Sequence, residues 1–289
     1  RATSGVESPS NRTQAIGNMK RVTNIMTTSV NDGRAFEATG GDGAAAKAAT
    51  VLRAEGLVKR VSSPEGTLTI LDDVSFDVAP GESIAIVGVS GAGKSTLLGL
   101  LAGLDVPTEG RVVLEGHDLS TLDEDGRAAV RSDHVGFVFQ SFHLSPSLTA
   151  LENVMLPLEL AGHSDPAGAA RAALEAVGLD PRKGHYPRQL SGGEKQRVAI
   201  ARAFVIDPKV LFADEPTGNL DQRTGEAIVE LLFRLNRDSG ATLVLVTHDL
   251  ELARRCDRIL YMEAGRLERE ERTADATPSR EAPGLAAAP

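Results

Sequence analysis

Residues 84–98 read Ile-Ala-Ile-Val-Gly-Val-Ser-Gly-Ala-Gly-Lys-Ser-Thr-Leu-Leu, and no other stretch limits the fold so tightly. Ile84 to Val87 make a strand-length apolar run, Gly88 to Gly93 form a loop free to take positive φ, and helix formers follow from Lys94. The spacing of Gly88, Gly93, Lys94 and Ser95 is that of a phosphate-binding P-loop. A polyphosphate has to be gripped by many backbone N–H groups at once, and a side-chain-poor loop at a helix N-terminus presents them. Gly88, Val89, Ser90, Gly91, Ala92 and Gly93 are the candidate cradle. Lys94 adds a point charge for the β- and γ-phosphates, the Ser95 hydroxyl is placed to ligate Mg2+, and Thr96 reaches the α-phosphate side.

The neighbouring text builds an α/β core around that loop. Val51 to Leu57 and Leu68 to Leu71 read as paired strands around a turn at 62–66, and Val74 to Val78 as a further strand. A strand at Arg111 to Leu114 follows the P-loop helix, and Val135 to Gln140 is another, ending on a polar residue. Leu151, Val154, Met155 and Leu158 then recur at helix spacing, and an alanine-rich helix runs from Pro166 to Val177. This is a helical insertion into the α/β core. Residues 51–270 are expected to be the folded domain, with its helical part at about 141–200. Residues 1–50 and 271–289, poor in aromatics and without periodicity, are expected to be disordered. The chain opens on Arg1, with Met19 and Met26 just inside, so part of the first tail is expected to lie outside the working protein.

Three further features converge on phosphate chemistry. Leu190-Ser191-Gly192-Gly193-Glu194 opens a helix read from Lys195 to Phe204, a second glycine turn at a helix N-terminus. By the same physics it offers a second anion site, with Ser191 and the Gly193 N–H as donors, where a plain loop is the alternative. Val210 to Ala213 is an apolar strand that ends in Asp214 and Glu215, at the edge where α/β sheets bind ligands. Asp214 would hold Mg2+ there, and Glu215 would orient and deprotonate water. The strand Ala241 to Val246 delivers His248 to the same edge, in reach of a γ-phosphate.

Charge and composition exclude other classes. A net charge of −9 argues against a general nucleic-acid binder. The single cysteine, Cys256, permits no internal disulfide, and without a secretory h-region the chain reads as cytosolic. Apolar runs such as Leu243 to Val246 are strand-length, so a membrane role must come through a partner. A GTPase is disfavoured because no Asn-Lys-x-Asp follows the P-loop.

Taken together and in order, these motifs resemble those of ABC-transporter ATPase subunits. Gly88 to Ser95 is similar to the Walker A loop, Gln140 to the Q-loop, Leu190 to Glu194 to the signature, Val210 to Glu215 to Walker B, Gly218 to Asp221 to the D-loop, and His248 to the switch histidine. Finer stretches, Phe137 to Phe142, Leu148 to Val154 and Ala213 to Asp221, resemble the lipoprotein-release and macrolide-efflux branch and, within it, the bacterial YbbA-type ATPases. The resemblance implies an ABC ATPase fold, a P-loop core with an antiparallel β subdomain and an inserted helical subdomain. It implies hydrolysis of ATP with Mg2+ held by Ser95, Gln140 and Asp214. It also implies a head-to-tail homodimer, in which ATP on Lys94 is closed by Ser191, Gly192, Gly193 and Glu194 of the partner subunit, with Asp221 in the D-loop between them.

A membrane permease at the cytoplasmic face of the bacterial inner membrane is the implied partner, with lipids, lipoproteins or hydrophobic compounds as cargo. Residues 140–153 are its candidate contact. The alternative is a membrane-associated regulator of the cell-division type that transports nothing. Soluble ABC ATPases of repair or translation would carry a coiled-coil insertion or a second cassette, and neither is in the sequence. One departure stands out: Val61 occupies the place where the family usually has an aromatic that stacks on adenine.

Overall fold

A computed structural model describes residues 50–64 and 66–273, so the two tails expected to be disordered lie outside the described residues except for residue 50 and residues 271–273. The chain forms two compact units.

One unit takes residues 50–127, 212–215 and, of the described residues, 241–273. Its first sheet has the order β2-β1-β4-β5, from β1 (Leu52–Ser63), β2 (Gly66–Val78), β4 (Glu109–Leu114) and β5 (His117–Asp118). All its ladders are antiparallel. Leu71, Val74, Phe76 and Val78 of β2 face inward, with Leu52 and Leu57 of β1 fully buried opposite them. Each such side chain contributes roughly 1.5–3 kcal/mol on leaving water. The stretches expected as two strands, 68–71 and 74–78, are one strand here. Asp73 at φ 56° makes a bulge, and the register slips between the pairs Leu57–Val74 and Lys59–Leu71.

The second sheet of this unit runs β10-β9-β3-β8-β7. It contains β3 (Ser83–Val87), the end of β7 (Val210–Asp214), β8 (Thr242–Val246), β9 (Arg258–Glu263) and β10 (Arg266–Arg272). Every residue of β3 and β8 is buried, and β3 pairs in parallel with both β8 and β9. This is the continuous apolar text that a parallel sheet covered on both faces requires. Helix α1 (Lys94–Leu101) follows β3, and a short helix, Leu250–Ala253, follows β8. Arg258 is buried at the start of β9, pairing with Glu82 at 3.0 Å and Glu270 at 3.0 Å. Cys256 beside it is buried, and burial pushes its thiol far above the ordinary value, so it is inert.

The other unit takes residues 128–211 and 216–240. Helix α2 (Glu124–His134) leads into β6 (Val135–Phe139), which lies beside the start of β7. Helices α3 (Ala150–Leu160), α4 (Pro166–Ala176), α5 (Gly192–Phe204) and α6 (Gln222–Ser239) make up the rest, and α3, α4 and α6 all pack on α5. Their starts are fixed by caps: Thr149 with Glu152, Asp165 ahead of Pro166, Ser191 with Glu194, and Asp221 onto the Thr224 N–H. Buried Asn153 accepts from the Ser145 N–H and donates to the carbonyls of Ser145, Leu148 and Thr149, stapling that loop to α3. Among the described residues no helix is long and apolar enough to cross a membrane.

Candidate nucleotide site

In the unit that holds β3, the loop 88–93 is shaped by what surrounds it. A Cβ on Gly88 would lie 2.3 Å from the Met262 carbonyl oxygen of β9. A Cβ on Gly93 would meet the Ile70 carbonyl at 2.9 Å, and Gly93 sits at φ 93°, where a side chain is also strained. The Gly265 N–H, from the β9–β10 turn, donates to the Ala92 carbonyl at 3.3 Å. The loop is therefore seated between β2 and the last hairpin. The first paired amide of α1 is that of Leu97, on the Gly93 carbonyl at 2.8 Å, so the N–H groups of Lys94, Ser95 and Thr96 have no partner within the helix. No acidic side chain stands in that first turn to repel an anion. The Lys94 ammonium donates to the carbonyls of Gly88 at 2.8 Å and Val89 at 3.0 Å, which holds it over the loop.

The carboxylates come to the same place from β7. Asp214 is hydrogen-bonded by Ser95, and its carboxyl is held above the ordinary range first by burial and then by the charge of Glu215, against the opposing pull of Ser95 and Lys94. Glu215 stands at φ 46° with its N–H on the Val246 carbonyl at 2.9 Å. A left-handed non-glycine residue costs roughly 1–3 kcal/mol and persists only where its surroundings fix it. Its Oε2 lies 2.7 Å from Nδ1 of His248, which is otherwise exposed. This unit thus brings together residues 88–96, Asp214, Glu215 and His248.

Gln140, Ser191 to Glu194 and Asp221 belong to the other unit. There the Gln140 amide donates to Asn219 Oδ1 at 3.3 Å, and Asn219 Nδ2 donates to the Gln140 carbonyl at 3.0 Å. Gly218 leaves room for this pair, since a Cβ would stand 2.6 Å from Gln140 Nε2. Ser191 accepts from the Glu194 N–H at 3.3 Å while Glu194 accepts from the Ser191 N–H at 2.8 Å. That bond, above all, holds the Glu194 carboxyl below its ordinary value. The helix consequently starts at Gly192, not at Lys195. Gly193 and Asp221 meet at Thr224: a Cβ on Gly193 would lie 2.5 Å from Thr224 Cγ2, and Asp221 accepts from the Thr224 N–H at 3.1 Å.

Residues 71–218, just over half of the chain, match the family described as ABC transporter. The chain belongs to the ABC transporter family. Within it this is an ATPase subunit, and the fold is that of the family's ATP-binding cassette. The ABC transporter ATP-binding protein YbbA of Escherichia coli (strain K12) is 55% identical over 225 residues, which cover 77% of this chain and 99% of YbbA. The lipoprotein-releasing system ATP-binding protein LolD of Bordetella avium (strain 197N) is 52% identical over 219 residues, covering 75% of this chain and 95% of LolD. Among solved structures, the dimeric cassette MJ0796 in a post-hydrolysis state with ADP and Pi matches with a TM-score of 0.71 and 42% identity, over 76% of this chain and 98% of that one.

For this ABC ATPase, the donors present fit a hard divalent cation held largely by phosphate. Ser95 and Asp214 offer a hydroxyl and a carboxylate whose raised pKa a cation would relieve, and among the described residues no cluster of three or more His, Cys, Asp or Glu could form a cage of its own. Sequence reasoning did not single out Asn219 as a partner of Gln140. The only available signal was a polar residue between Gly218 and Leu220, where a turn alone would explain it.

Proposed function

We propose that this chain hydrolyses ATP through Glu215 and couples that reaction to a membrane permease at the cytoplasmic face of the bacterial inner membrane. The observation that carries the reading is the 2.7 Å contact between Glu215 and His248, beside Asp214 and the P-loop. Lys94 and the free N–H groups of α1 bind the β- and γ-phosphates. Glu215 takes the proton of the attacking water, and His248 orients that carboxylate and contacts the γ-phosphate. Ser95, Asp214 and Gln140 would hold Mg2+, which when bound would supply charge neutralisation at the phosphates. The Ser191 hydroxyl and Gly193 N–H of a second copy close the nucleotide from the other side, with Asp221 at the junction, in a homodimer. Likeness to LolD, a lipoprotein-releasing system ATP-binding protein, supports an envelope role with lipid, lipoprotein or hydrophobic cargo. Residues 140–153, stapled by Asn153, would receive the permease.

Glu215→Gln tests the reading. The variant is expected to bind ATP as the wild type does, lose about 100-fold or more in turnover and accumulate a dimer in size-exclusion chromatography with ATP. Wild-type turnover would remove Glu215 as the base. Detergent co-purification of the same trapped variant should bring down a multi-span membrane protein, and a partner with few spans and a large extracytoplasmic domain would favour extraction or efflux.

A further inference from the structure

Helix α5 carries two polar side chains that the function above does not use, Gln196 and Arg202, and both reach the segment around Gln140. Gln196 is fully buried. Its Nε2 donates to the Pro216 carbonyl at 2.6 Å and, more weakly, to the Phe139 carbonyl at 3.5 Å. Two carbonyl acceptors fix which way round the amide sits, and its Oε1 is then left buried without a hydrogen-bond partner. A methionine of similar size would pack there without an orphaned acceptor, so filling space does not account for a glutamine.

Pro216 and Phe139 are where two loops depart. Phe139 immediately precedes Gln140, and Pro216 leads into Gly218 and Asn219, whose side chain pairs with Gln140 in both directions. Gln196 therefore ties the roots of the two loops whose tips hold each other.

Arg202 acts on the far side of Gln140. Its Nη1 donates to the His143 carbonyl at 2.6 Å and its Nη2 to the Phe142 carbonyl at 3.0 Å. Phe142 and His143 stand at φ 60° and φ 48°, a left-handed pair that non-glycine residues adopt only under constraint. The His143 ring stacks on Phe139 with centroids 4.6 Å apart, which folds the turn back onto the end of β6. A guanidinium fork matches two neighbouring carbonyls at once, whereas a lysine ammonium has no such geometry. Arg202 is largely desolvated, and burial lowers its pKa, so its charge is spent on this turn.

We propose that Gln196 and Arg202 are positioning residues for Gln140: from two sides of the signature helix they fix the chain before and after that glutamine and so set the placement of its amide for the ATPase reaction. This rests on the reading that Gln140 acts in hydrolysis. It adds that the placement is imposed by α5, the helix whose first turn carries the signature.

The test uses the full chain, with ATP affinity from fluorescent-nucleotide titration, turnover from phosphate release, and melting temperature by circular dichroism. Gln196→Met and Arg202→Lys are expected to bind ATP within about twofold of wild type while kcat falls about tenfold. A purely structural cation would be replaced by lysine without loss of kcat. Gln140→Ala is expected to lower kcat by a similar factor, and the double variants Gln140→Ala/Gln196→Met and Gln140→Ala/Arg202→Lys to fall no further than the worse single change. Costs that multiply in the doubles, or wild-type kcat in both Gln196→Met and Arg202→Lys, would overturn the proposal while leaving the role of Gln140 intact. Wild-type kcat in Gln140→Ala would overturn that role and the proposal with it. Should one substitution unfold the chain, the other carries the test alone.

Discussion

Gly88→Ala isolates what the seat of the phosphate loop is worth. Gly88 has no positive φ, so an added methyl meets no backbone penalty and acts only through contact. That contact is 2.3 Å from the Met262 carbonyl oxygen, 3.2 Å from its carbonyl carbon and 3.3 Å from the Ala92 Cβ. An ordinary carbon–oxygen contact is near 3.3 Å, so loop and strand must part by about 1 Å. Met262 is buried in β9, which pairs on both sides with β3 and β10, and the strand has little freedom to move. Forcing extra volume into such a place costs about 1–3 kcal/mol, and a 1 Å misplacement of reacting groups can cost about 100-fold in rate. A loss of stability of that size, a clear fall in ATP affinity by fluorescent-nucleotide titration and a still larger fall in turnover are expected. The control is Gly99→Ala in α1, where a Cβ meets nothing within 4 Å and helix propensity gains about 0.5–1 kcal/mol. A Gly88→Ala protein that melts and binds ATP like the wild type would refute the idea that β9 sets the loop.

Lys94→Ala removes the ammonium from two carbonyls and from the phosphates, and ATP affinity should fall about 10- to 100-fold in the same titration. Asp214 has a folded pKa above its unfolded one, so its contribution to stability is present below the ordinary value of 3.8 and is lost as pH rises through the folded value. Asp214→Asn without magnesium should therefore melt above the wild type at neutral pH, with the gap closing under acid, while hydrolysis is lost; an equal or lower melting temperature at pH 7 would contradict this. Val61 faces Leu68 across the β1–β2 ladder, and the two are 42% and 63% exposed. This apolar pair should bind ATP and GTP with little discrimination, and Val61→Tyr should shift the ratio toward ATP by roughly 2- to 10-fold in competition binding.

The motifs were legible because each is contiguous. A P-loop, a strand ending in two acids or a glycine turn before a helix brings its groups together through backbone geometry alone, so residues 88–96, Asp214 and Glu215 could be placed from text. Errors arose where local text suggested a break that tertiary contacts overrule. Asp72 and Asp73 look like a turn between two strands, yet the Asp72 N–H donates to the Gly265 carbonyl and its carboxylate pairs with Arg266, so β2 runs through them. Helix α2 offered no apolar stripe, for Val130 is its one buried residue. The glycines before Lys195 look like loop, but the Ser191–Glu194 box starts the helix among them. Contacts such as Gln196 to Phe139 and Arg202 to Phe142 join residues 57 and 60 positions apart, and no periodicity or spacing encodes them.

The seating of the phosphate loop on Met262 and Gly265 also has a consequence in time. The loop leaves the ribosome early, but its backstop is made more than half a chain later. A nascent chain therefore carries the complete phosphate-binding text without the geometry to use it, and long-range closure of this kind is slow. Nucleotide affinity is expected only once β9 has paired onto β3 and β10 onto β9, so an unfinished subunit should not capture ATP.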